Sequence, residues 1–189
     1  MKKIILFLLF VGSLTLSAQG YTTKYVRNEL YNVKGTDYVL SYVETTSKYS
    51  KAVDKYLLFI NSKNGDIRKI SFPFEGIIKE IEQTKIDELG INVIVVDAKT
   101  KDIVGRNGIN VDDPTQLFII DSEGKDKKQL TEDEFFVTDW IINYQTGYIV
   151  VLGSYDYIKE LKIKKEFDKP VILIYDLKTL ELVEKKTNY

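Results

Sequence analysis

The chain has 189 residues, a length that suits one domain. It carries 27 basic residues against 28 acidic ones and contains neither Cys nor His. Disulfides, Cys/His zinc sites, a Cys nucleophile and a Ser-His-Asp triad within the chain are thereby excluded. Ile, Val, Tyr, Phe, Trp and Thr supply 75 residues and Ala only three. That balance predicts strands, because β-branched and aromatic side chains suit a pleated, half-buried surface.

Residues 1–20 have the three-part pattern of a secretory signal peptide: Lys2 and Lys3, the apolar run IILFLLFV over 4–11, then small and polar residues ending SAQG. The apolar run is shorter than the roughly 20 residues that span a bilayer. Cleavage is expected after Ala18 or Gly20, which predicts a periplasmic or secreted protein. The remainder has no second long apolar run and no Cys for a lipid, so neither a transmembrane segment nor a lipid anchor is expected. Loss of Lys2 and Lys3 leaves 25 basic and 28 acidic residues, a net charge of −3. The basic run KIKK over 162–165 is flanked by Glu160, Glu166 and Asp168. No sustained basic surface is present, and nucleic acid is not an expected partner.

From residue 21 onward the chain reads as a single domain of three repeats, over about 25–74, 75–134 and 135–189. Each ends in an apolar segment that reaches an Asn or Asp, passes a polar tip and returns: YLLFINSKNGDIRKI over 56–70, QLFIIDSEGKDKKQL over 116–130 and VILIYDLKTLELVEK over 171–185. These predict hairpins turning at Asn64-Gly65, Glu123-Gly124 and Lys178-Thr179. The third lacks glycine, so its turn is expected to differ. Before each hairpin a strand follows Gly35, Gly90 or Gly147: DYVLSYVETTS, INVIVVDAKT and YIVVLGSYDY. Residues 93–96 and 149–152 are apolar on both faces, which predicts central strands of low exposure. A further element precedes each glycine, over 25–31, 77–89 and 135–144. The isoleucine spacing in 77–89 also fits a helix, but its counterpart FFVTDWIINY is poor in helix formers and favours a strand.

The predicted fold is all-β and antiparallel: three four-stranded, blade-like repeats forming a partial or atypical propeller, with a β-sandwich as the alternative. The second repeat resembles the WD-like repeat of TolB-type β-propellers. LFIIDSEGKDKKQLT carries the aliphatic strand, Asp, Gly turn, basic residue and Gln-Leu-Thr of that repeat. WIINYQTGYIVVLGS matches its aromatic, its polar turn with Gly and its innermost strand. The other repeats match more loosely. The resemblance implies a propeller-like fold and action through protein–protein contact.

Without His or Cys, chemistry falls to carboxylates, Lys, Tyr or Ser. Asp97, Asp102, Asp112, Asp113, Asp139 and Asp156 stand in apparent turns, where solvated strand ends are the ordinary reading and a glycosidase-like pair the alternative. The loop over 97–113 offers oxygen ligands, but it includes Lys99, Lys101 and Arg106 and lacks a calcium-loop pattern. No catalytic residue, metal ligand or cofactor is assigned. Trp140, Tyr144, Tyr155 and Tyr157 gather around the third repeat and are the candidate partner-binding residues, with core packing as the alternative. The expected function is an exported, non-enzymatic binding protein of the bacterial envelope or periplasm, whose partner is another protein. A secreted carboxylate hydrolase acting on glycans, or a periplasmic immunity protein that neutralises a toxin, are the alternatives.

Overall fold

A computed structural model describes residues 24–47, 50–73, 75–105, 107–155 and 170–187. The signal-peptide pattern, Asp156, Tyr157 and the charged segment 159–169 lie outside the described residues. Among the described residues, twelve strands form three four-stranded antiparallel sheets. The first sheet contains β1 (Lys24–Asn32), β2 (Tyr38–Ser47), β3 (Ser50–Asn61) and β4 (Ile67–Ser71). The second contains β5 (Ile77–Ile86), β6 (Ile91–Lys99), β7 (Gln116–Asp121) and β8 (Lys127–Gln129). The third contains β9 (Phe136–Asn143), β10 (Tyr148–Ser154), β11 (Val171–Asp176) and β12 (Glu181–Lys186).

Within each sheet the strands lie side by side in chain order. Each sheet coincides with one sequence repeat. Residues 77–86 form a strand, and the only helical geometry in 77–89 is a 3-10 turn over Asp87–Leu89. Gly90 follows with φ of 66°, and Gly35 and Gly147 take the same left-handed conformation at the matching turns.

The sheets pack face to face around the second. Strand alternation sends Ile94, Val96, Ala98, Phe118 and Ile120 of the second sheet into a core with Leu40, Tyr42, Leu57 and Phe59 of the first. The other face sends Ile91, Val95, Leu117 and Ile119 into a core with Ile149, Val151, Leu173 and Tyr175 of the third. Burial at the second core pushes the Tyr175 phenol up to about 12. The stack is propeller-like and open: the outer faces of the first and third sheets belong to neither core.

That openness corrects one expectation. Of residues 93–96 the last three are buried as predicted and Val93 is half-buried, while of residues 149–152 only Ile149 and Val151 are buried. Val150 is half-buried and Leu152 is 36% exposed, because β10 is central within its sheet while, among the described residues, no sheet lies beyond its outer face.

The hairpin turns share one device. Asn61 Oδ1 accepts the amides of Lys63 and Asn64, and its carbonyl accepts the amide of Gly65. Asp176 treats Lys178, Thr179 and Leu180 in the same way. The third hairpin therefore repeats the first, contrary to expectation. Leu180 takes the left-handed conformation, at φ of 57°, that Gly65 takes at 80°. The second hairpin is the variant, its glycine one residue earlier and its Asp121 accepting the amides of Glu123, Lys125 and Asp126.

Candidate functional site

The candidate aromatics separate in space. Tyr155 packs edge-on against buried Phe135, with ring centroids 5.1 Å apart. Its hydroxyl accepts from Lys185 Nζ at 2.9 Å, and the same ammonium lies 4.6 Å from the ring centroid. Trp140, opposite Val151 in register, packs beside the same core. Both rings thus stand at the junction of the second and third sheets. Tyr144 occupies the β9–β10 turn, 54% exposed, its hydroxyl 3.5 Å from Glu82 Oε1. The structure brings Trp140 and Tyr155 to one junction and leaves Tyr144 on its rim.

Two acids of the suspected loop serve its own backbone. Asp113 is fully buried, and its carboxylate accepts the amides of Ile103, Val104 and Asn110 at 2.7–2.8 Å. Asp102 Oδ2 accepts the amide of Gly108 at 2.9 Å. Loop amides with no strand partner thereby find acceptors. Among the described residues, no three acidic side chains gather as a metal ion would need.

Asp97 is a second buried acid. Burial raises its carboxyl above the ordinary Asp range, opposed by the Lys79 ammonium 3.2 Å away and reinforced by Glu80. Its Oδ1 is buried with no hydrogen-bond partner. Burial also lowers Lys99, whose ammonium donates to the main-chain oxygen of Asp113.

A polar groove of about 420 Å³ opens elsewhere, at the hairpin end of the first two sheets. It is lined by Gly35, Thr36, Asp37, Tyr38, Asn61 and Glu123. Arg68 joins two of these lining residues: its guanidinium lies 5.0 Å from the Tyr38 ring centroid and donates to the Glu123 carbonyl at 2.9 Å and carboxylate at 3.3 Å. Lys125 and Arg68 hold the Glu123 carboxyl below its usual range. Asp37 pairs with Lys63 at 2.9 Å. Asp97 does not line this groove, so the acid with the raised value and the open volume belong to different places.

A further surface feature is one that composition and motifs did not single out. The outer face of the third sheet carries Ile141, Val150 and Ile174 in one cross-strand row, with Leu152 and Ile172 in the next. Ile141 is 69% exposed. Its sequence signal was present: β10 and β11 are apolar at consecutive positions although only one of their faces enters a core among the described residues. The outer face of the first sheet is the counterpart, with Val39 and Ile60 in one row with Ile67, Leu58 in the row of Leu30, and Tyr56 beyond. Leu30 and Ile67 are 71% and 61% exposed.

No family model matches the chain, and no curated protein matches it. Among solved structures, the acylaminoacyl peptidase of Pyrococcus horikoshii aligns with a TM-score of 0.47 at 13% identity, over 86% of this chain and 25% of that one. A cobalt-substituted Synechocystis ACO aligns with a TM-score of 0.39 at 13% identity, over 86% of this chain and 38% of that one. The chain thus spans a quarter to about two fifths of the proteins it aligns with.

Proposed function

We propose that this chain is an exported, non-enzymatic binding protein of the bacterial cell envelope or periplasm, acting through protein–protein contact. The observation that carries this reading is the outer face of the third sheet, where five apolar side chains lie in register across three strands outside both cores. Contiguous exposed apolar area of this kind marks an interaction surface. Export rests on the pattern of residues 1–20. The TolB-type resemblance of the second repeat agrees with a scaffold that works by contact. Tyr144, exposed on the rim of the junction with the second sheet, offers rigid aromatic area at a separate place. A secreted hydrolase would use Asp97, which stands away from the polar groove; an immunity protein would bind its toxin through the same apolar face.

The test has two parts. Fractionation and N-terminal sequencing should find the chain outside the cytoplasm, beginning at Gln19 or Tyr21; Met1 retained in the cytoplasm would refute export. Captured partners should be lost from an Ile141→Arg, Leu152→Arg variant that folds normally. Partners retained undiminished would move the contact elsewhere.

A further inference from the structure

The two free faces are complementary halves of one kind of junction, and we infer that they join: two copies of this chain close into a ring of six sheets, the third sheet of each copy stacked on the first sheet of the other. The inference rests on reading the outer face of the third sheet as a protein contact, and names the occupant.

The repeats themselves show how such a junction is made. Aligned on Asn61, Asp121 and Asp176, the residues two before are Phe59, Ile119 and Ile174. Phe59 enters the core shared with the second sheet, and Ile119 the core shared with the third. Ile174 takes the same orientation and lies on the outer face, where no following sheet meets it. The residues one before are Ile60, Ile120 and Tyr175. Ile120 packs on the first sheet and Tyr175 on the second, while Ile60 lies on the outer face of the first sheet. Each end of the stack therefore presents the half-junction that the other end lacks.

Charge supports the pairing independently. Opposite Phe59 in register stands Arg68, and opposite Ile119 stands Lys128. Both reach the hairpin turn of the next sheet: Arg68 donates to Glu123, and Lys128 Nζ to the Leu180 carbonyl at 2.7 Å. Opposite Ile174 stands Glu184, an acid in the position of the two bases. The turn residue two after the Asx is Glu123 in the second sheet and Lys63 in the first, a base in the position of the acid. Stacking the third sheet on the first sheet of a second copy brings Glu184 to Lys63, the Arg68–Glu123 pair with both signs exchanged. Lys63 is 74% exposed at its side chain and Glu184 46%.

Geometry fixes the number of copies. Propellers close with about four to eight blades, so three sheets fall short and six fall within range. A face that binds a different face makes a ring only where the rotation closes, and here two copies use every free face once, in two identical junctions.

Light scattering and sedimentation on the full chain test this, with charge reversal as the internal control. The wild type should run at twice the single-chain mass. Glu184→Lys and Lys63→Glu should each weaken self-association by about tenfold or more, and the two changes together should restore it to within a few fold. Unchanged melting of each variant at high dilution separates these effects from misfolding. Failure of the double variant to recover would overturn the register, and a trimer or an open polymer would overturn the two-copy ring. A single-chain mass overturns self-pairing outright. If a different protein is then still lost on Ile141→Arg, Leu152→Arg, the contact reading survives and the second copy does not; if nothing is lost, both fall.

Discussion

Gly124, in the hairpin turn of the second sheet, is seated against the ring of Phe59 in the first. A Cβ placed at 124 would lie 2.4 Å from Phe59 Cδ2, and the residue has φ of 70°. Two constraints therefore meet at one residue, a left-handed backbone and an aromatic neighbour fixed in the core. Gly124→Ala should cost about 2–4 kcal/mol. Gly65→Ala meets the first constraint alone and should cost roughly 1 kcal/mol. Denaturant melts of the two variants check the difference, and equal losses would remove the packing argument.

The two faces of β10 should respond oppositely to charge. Val151 is fully buried, and Val151→Asp sets an unpaired carboxylate among apolar neighbours, at a cost of about 3 kcal/mol or more. Val95→Asp, in the second sheet, should behave in the same way. Leu152→Asp points outward and should cost under about 1 kcal/mol at high dilution. Equilibrium unfolding of single chains reads all three.

Asp97 gives the fold a pH dependence of known sign. Its folded value is raised by burial above the ordinary 3.8. Below that ordinary value both folded and unfolded chains hold the proton. Between it and the raised value the unfolded chain releases the proton and the folded chain keeps it, so stability falls as pH rises through this window. Above the raised value the penalty is constant. Asp97→Asn should therefore raise the melting temperature at neutral pH and flatten the profile from pH 3.8 upward. A variant that melts lower at neutral pH would show that the pair with Lys79 outweighs burial.

The aromatics of the third sheet can be separated by measuring stability and binding on the same variants. Tyr155→Ala removes a ring wedged between Phe135 and Lys185, and should lower stability by about 2 kcal/mol. Tyr144→Ala should leave stability within about 0.5 kcal/mol of wild type and weaken partner binding instead. The reverse pattern would exchange their roles.

What the sequence made legible was local. Strand positions follow from period-two alternation, and the turns follow from Asn, Asp and Gly, whose preferences act within a few residues. Leu180 escaped this logic because Asp176 and the neighbouring sheet impose a left-handed turn on a residue that does not favour it. Asp113 escaped it because its three partners are main-chain amides, which have no sequence signature. Arg68 and Glu123 stand 55 residues apart, and nothing short of the stack brings them together. The exposure of Leu152 also depends on whether another sheet follows, which the strand's own residues do not state. The aromatic cluster was legible as composition, but the side of the sheet each ring would join depends partly on the register shift between Leu152 and Gly153.

Among the described residues, every hydrogen-bonded strand neighbour is also a neighbour in sequence. Most of the loops that must close are short, and the two long ones join strands of the same sheet, so the entropy of bringing paired strands together stays modest. A chain emerging N-terminus first can finish one meander before the next arrives, and that meander then offers an apolar wall on which its successor condenses. Assembly by accretion leaves at each stage a sticky surface at the growing end as well as one on the first sheet, and both ends outlive folding itself. The step that hides them depends on concentration, whereas all earlier steps do not. Refolding should therefore show fast phases indifferent to dilution followed by one that slows as the protein is diluted.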